Sequence, residues 1–197
     1  VWHDPALKAA LAGLARHPDP HQVMNAIVLQ LKLGQAPPPA ETVARLRSFS
    51  VEDQRWFCER MREDGAPAAA PLLIGLWDTD DRLVRTLILH YCQRTRTPET
   101  FDFALRACDE APSDSPLRFD AARALAAHVT GLDEQARRVI PLLLDVYEQG
   151  PTDVRATLDA AFCRAAGRPE VSGLSFTPAV GAARLAEWRR WWAEQNE

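Results

Sequence analysis

What this chain lacks excludes more than its composition suggests. No stretch approaches the roughly 20 consecutive apolar residues of a membrane-spanning helix, and the first residues carry no signal-peptide pattern. Val1-Trp2-His3 opens the chain without methionine, as in a processed form or an excised domain, so an upstream anchor or second domain would lie outside it. Lysine is almost absent, with only Lys8 and Lys32, and arginine supplies nearly all the basic charge, a bias expected of a GC-rich genome. The net charge is −4, which argues against a sequence-tolerant nucleic-acid binder, since that class needs a basic surface. Cys58, Cys92, Cys108 and Cys163 stand far apart with no CxxC pair, so neither a disulfide framework nor a structural zinc site is indicated. All four fall in predicted helices, where cysteine serves as a small buried hydrophobe. A reducing compartment such as the cytoplasm fits them slightly better than an oxidising one. There is no phosphate-binding glycine loop, no HExxH and no GxSxG. No segment alternates apolar and polar residues as a half-buried strand does.

Helical periodicity fills the space these absences leave. Pro5 to about Arg16 is a first predicted helix, with Asp4 as N-cap and Pro5 at its first position. A second covers about His21 to Leu33, ended by Gly34, before the stiff connector Pro37-Pro38-Pro39. Further helices are predicted over about Ala40 to Phe49, from Ser50 to Glu63 with Asp53 completing a near capping box, from Pro67 to Trp77, and from Asp81 to Gln93. Then come Thr97 to Asp109, Pro116 to Val129, Asp133 to Tyr147, Thr152 to Ala166 and Ala179 to Gln195. The fold class is therefore all-α.

A helix-opening step recurs along this series. Leu83-Val84-Arg85, Pro116-Leu117-Arg118 and Asp153-Val154-Arg155 each follow an acidic, turn-like stretch. Aligning Val23, Gln54, Val84, Leu117 and Val154 gives successive spacings of 31, 30, 33 and 37 residues. Five helix pairs result, near residues 4–34, 39–64, 67–94, 97–130 and 133–166, followed by a loop over 167–178 and a last helix over 179–195. An isolated pair of this size cannot bury its apolar stripe, so neighbours must stack.

At this point the chain resembles the HEAT-repeat family, of the degenerate bacterial kind. Ala70-Pro71-Leu72-Leu73-Ile74-Gly75-Leu76, the acidic turn Asp78 to Asp81, Leu83-Val84-Arg85 and Ile88 match the family's repeat best. Val139-Ile140-Pro141-Leu142-Leu143-Leu144 with Asp153-Val154-Arg155 and Leu158 matches next. Leu117-Arg118 with Ala121-Ala122 and Leu125 keeps the second helix only, and the first two pairs depart from the pattern at Met24 and Gln54. The resemblance implies a right-handed α-solenoid of five antiparallel helix pairs with a C-terminal capping helix, used as a binding scaffold without a fixed ligand. It also implies that Arg85, Arg118 and Arg155 pair with turn aspartates, among them Asp80, Asp81, Asp114 and Asp153. HEAT-like folds also include DNA alkylation-repair glycosylases and phycobilin lyases, an enzymatic alternative that the acidic balance disfavours.

Candidate sites follow from helix phase. His17, Asp19 and His21 lack nearby third and fourth ligands, and read as a solvated loop rather than a metal centre. Leu185, Trp188 and Trp192 share one face of the last helix, as a cap over exposed core would. In the second helices the inward stripe follows the anchor at +3/+4 and +7, so the opposite face falls at +2, +5 and +9. There the sequence places Val28, Trp56, Leu89 and Phe119, with Glu59, Arg60, Arg82 and Arg123 as a charged rim. This face is the expected docking surface for an apolar peptide or amphipathic helix. No cofactor, metal or catalytic residue is expected.

Overall fold

The computed structural model describes residues 5–170 and 176–196; the expected N-cap Asp4 and part of the loop over 167–178 lie outside them. Among the described residues the chain is all-helical, with eleven α-helices and one 3-10 turn and no strand. They are α1 (Pro5–Leu14), α2 (Pro20–Lys32), α3 (Pro39–Arg47), α4 (Val51–Asp64), α5 (Ala70–Gly75), α6 (Arg82–Arg94), α7 (Pro98–Glu110), α8 (Pro116–His128), α9 (Glu134–Gln149), α10 (Thr152–Ala165) and α11 (Pro178–Glu194).

Local chemistry explains the boundaries. Ser50, Asp81 and Asp133 sit at N-caps, each accepting a backbone N–H from the first turn, of Asp53, Val84 and Ala136 respectively. The Ser50 hydroxyl also donates to the Asp53 carboxylate at 2.7 Å, so this end is doubly tied. Gly65 ends α4 with φ of 62°, a left-handed cap that glycine adopts without steric cost. The predicted helix over Pro67 to Trp77 is split into a 3-10 turn, Pro67–Ala69, and the short α5. Pro71 has no N–H to give to the carbonyl four residues back, so the α-helical ladder starts only with that proline inside its first turn.

The helices gather into two compact units, Val1–Glu99 and Thr100–Glu197. In the first, α2, α4 and α6 lie side by side and parallel. At their amino ends His21 Nε2 stands 3.6 Å from Asp53 Oδ1, and Arg55 Nε donates to Asp81 at 3.1 Å. At the carboxyl ends Lys32 Nζ lies 3.1 Å from Asp64. Beneath these pairs Met24, Ile27, Phe57, Met61, Val84 and Ile88 are buried. On the other layer α3 packs on α5, where the Arg47 guanidinium donates twice to the Gly75 carbonyl, at 2.7 and 3.1 Å. Gly75 is required here because a Cβ would come within 2.5 Å of Val43 Cγ2.

In the second unit α8 and α10 are likewise parallel. Arg164, near the end of α10, donates to the carbonyls of Val129 and Ala126 at 2.8 and 2.9 Å, and Arg123 of α8 reaches Asp153 at the start of α10. Helix α9 packs against α8, α10 and α11. Asp159, almost fully buried, accepts from Arg184 Nε and Nη2, each at 2.9 Å, and from Trp188 Nε1 at 2.7 Å. The hydrogen bonds and charge of Asp159 raise the Arg184 pKa despite partial burial. Gly181, Leu185, Trp188 and Trp191 are the buried residues of α11, with Trp192 half-buried, so the inward face turns one residue from the expected one.

Candidate functional site

The exposed face of the second helices is best defined in the first unit. Measured from each anchor, the solvent-facing residues fall at −1, +2, +6 and +9 on α2, which carries Gln22, Asn25, Leu29 and Lys32 there. On α4 the exposed residues are Val51, Glu52, Trp56, Glu59, Arg60 and Glu63, and on α6 Arg82, Leu83 and Arg94 are exposed with Arg85, Thr86, His90 and Gln93 half-buried. Large apolar groups stand out among them: Leu29 is 40% exposed, Trp56 37% and Leu83 48%. The Trp56 indole is held edge-on by His21, with ring centroids 5.7 Å apart and planes at 88°.

Two residues expected on this face are not there. Val28 is only 6% exposed and Leu89 is fully buried. Both occupy +5, which also proves buried at Ala122 in α8 and Asp159 in α10, and stays open only at Glu59 in α4. The inward arc of a second helix is wider than its leading apolar stripe, because such a helix packs on its own partner and on parallel neighbours. On α6 it takes in Val84, Leu87, Ile88, Leu89, Tyr91 and Cys92. At about 100° per residue that arc spans about 200° and displaces the open face toward +6. The residues missed by phase reasoning are therefore Leu29 and His90, at +6 on α2 and α6, together with Leu83 at −1.

Phe119 and Arg123 belong to the second unit and are half-buried. Arg123 is committed to Asp120, at 2.6 Å, and to Asp153. On α4 Arg60 lies near Glu63 and Asp64, and Arg62 donates to Glu59 at 3.1 Å. Arg82 is exposed and makes no ion pair among the described residues.

The arginines of the recurring step do not pair with turn aspartates. Arg85 Nε donates to the Trp77 carbonyl at 3.2 Å and its guanidinium lies over the Trp77 ring at 5.5 Å. Arg155 Nε donates to the Tyr147 carbonyl at 3.0 Å and Nη2 to that of Glu148 at 2.9 Å. Both satisfy carbonyls at or just beyond the carboxyl end of the preceding helix, which have no intrahelical partner. The aspartate is taken instead by α4: Asp81 accepts from Arg55, whose hydrogen bond is the main cause holding that carboxyl below its ordinary pKa, while Arg55 is correspondingly raised.

A cleft of about 500 Å³ opens between the carboxyl ends of α4 and α6, lined by Arg62, Glu63, His90, Gln93 and Arg94. Arg62 Nε is buried there without a hydrogen-bond partner. A second hollow of about 380 Å³ lies among α1, α2 and α3 beneath the Pro37-Pro38 connector. The thiols of Cys58 and Cys92 are pushed up to about 12 and that of Cys108 to about 11, in each case chiefly by burial. A thiol so placed is not a nucleophile near neutral pH. His17, Asp19 and His21 make local turn hydrogen bonds, His17 Nδ1 accepting from the Asp19 amide and Asp19 from the His21 amide.

Among the described residues no group of three or more His, Cys, Asp or Glu is placed to hold a metal ion, and no helix is long and apolar enough to cross a membrane. Comparison with known proteins finds no matching family model, no matching characterised protein and no matching solved structure.

Proposed function

We propose that this chain is a HEAT-like α-solenoid of about five helix pairs with a C-terminal capping helix, acting as a non-enzymatic scaffold that holds a protein or peptide on its second helices. The observation that carries the reading is Trp56. A tryptophan more than a third exposed, in the middle of three parallel helices and fixed in orientation by His21, is an anchor of the kind that dominates protein interfaces. Leu29 and Leu83 on the flanking helices extend the apolar surface to either side. Repetition supports the architecture: His21–Asp53 and Arg55–Asp81 link successive second helices in one unit, and Arg123–Asp153 does so in the other. Glu52, Glu59 and Glu63 interleave with the arginines on this face, which separates it from the continuous basic cleft of a DNA-directed enzyme.

The test is capture from the native source by wild type and by Trp56→Ala combined with Leu29→Ser. The variant should lose the captured protein while its melting temperature stays within a few degrees of wild type. Equal capture by both would remove the binding role from this face.

A further inference from the structure

We infer that the partner of this face is an acidic amphipathic helix that lies along α6; the inference rests on the scaffold reading above. Helix α6, RLVRTLILHYCQR, contains three arginines and a histidine and no carboxylate. Its outward line runs Arg82, Thr86, His90 and Arg94, spaced four residues apart on one face. Helix α4 beside it is mixed in sign, and its arginines are taken: Arg60 by Glu63 and Asp64, Arg62 by Glu59, and Arg55 by Asp81 at the N-cap of α6. Lys32 of α2 is likewise taken by Asp64, and Arg85 by the Trp77 carbonyl. What remains is Arg82 and Arg94, both exposed and with no hydrogen bond or ion pair among the described residues.

The backbone positions of these two arginines are about 18 Å apart along the helix axis, twelve residues at 1.5 Å each. Arg94 opens onto the cleft of about 500 Å³ in which Arg62 Nε is an unmatched donor, so a carboxylate entering there on the side away from Glu63 meets two guanidiniums, one of them shared with Glu59. At the other end Arg82 stands beside Leu83, with Trp56 on the neighbouring parallel helix. The complementary surface is thus a carboxylate near each end of a three-turn helix with apolar side chains between them. A phosphate polymer fits less well, because the glutamates of α4 run alongside the cationic row and oppose its closely spaced charges.

The experiment is fluorescence anisotropy with labelled, alanine-based helical peptides carrying leucines centrally and glutamates near both ends. Versions with glutamine or lysine at the charged positions, and a labelled oligothymidylate, complete the set. The glutamate peptide should bind best, and its advantage should shrink as added salt shortens the screening length. The R82Q/R94Q variant should weaken the glutamate peptide about tenfold at low salt, two exposed ion pairs at their usual strength, and leave the glutamine peptide unchanged. Its thermal melt should match wild type, since neither side chain supports the fold. Equal binding of the glutamate and glutamine peptides, both sensitive to Trp56→Ala, would overturn this inference and leave the scaffold reading intact. Tighter binding of oligothymidylate would overturn it in favour of a phosphate ligand. Failure of every peptide would tell against the binding face itself.

Discussion

Replacing Asp159 by alanine should strongly destabilise the second unit. The residue is 3% exposed, and its carboxylate accepts two hydrogen bonds from the Arg184 fork, one from Trp188 Nε1 and a longer one from Cys163 Sγ at 3.9 Å. Removing it leaves a largely buried guanidinium, whose side chain is 18% exposed, and a buried indole N–H without their acceptor. Breaking a buried ion pair from one side costs about 3–5 kcal/mol, because the stranded charge keeps its desolvation penalty. Arg184 retains Glu187 at 2.7 Å, which places the cost near the lower end, about 3 kcal/mol. For a unit of about 100 residues that is a fall of more than about 10 °C in melting temperature. Urea unfolding followed by circular dichroism gives the free energy directly. The double variant D159A/R184A should be less damaging than the two single losses added together, since the second change removes the stranded charge. A loss below about 1 kcal/mol for D159A, the scale of a surface pair, would refute this role of Asp159 as a buried acceptor.

Other expectations are as direct. Gly75→Ala should destabilise the first unit by about 1–3 kcal/mol, because its Cβ would sit 2.5 Å from Val43, and a thermal melt reads the effect. Leu89→Ala should cost about 2–5 kcal/mol, as for a buried leucine, and Trp56→Ala much less; the reverse order in urea unfolding would return Leu89 to the surface. Cys58, Cys92 and Cys108 should resist a thiol reagent in the folded protein at pH 8 and react at once after unfolding. Burial pushes these thiols up to about 12, 12 and 11 from their ordinary value of 9.0, so the unfolded chain gives up its protons first as pH rises. The stabilisation from these groups is complete below pH 9 and declines between 9 and 12, which a series of melts at increasing pH checks.

Much of this fold was legible in the chain. Apolar spacing, the Ser50 cap and the acidic turn Asp78 to Asp81 located the helices to within a few residues, because all act locally. What failed was the outer boundary of each buried arc. The leading stripe Val84, Leu87, Ile88 and Tyr91 points inward as read, yet the burial of Leu89 depends on packing beyond its own helix, which one helix's periodicity does not encode. Partner choice for long side chains was equally hidden. Arg85 lies within reach of carbonyls and carboxylates alike, and the structure gives it to the Trp77 carbonyl while Arg55 takes Asp81. Trp56 is exposed, in line with its place at +2 from Gln54, whereas Leu29 was hidden as one apolar residue in a run.

The most direct test of the central claim is the binding of the glutamate-bearing amphipathic peptide to wild type and to Trp56→Ala, measured by anisotropy under identical conditions. The account predicts saturable binding to wild type, at least tenfold weaker binding to the variant, as for loss of an interface tryptophan, and superimposable melting curves. Equal affinities would contradict it.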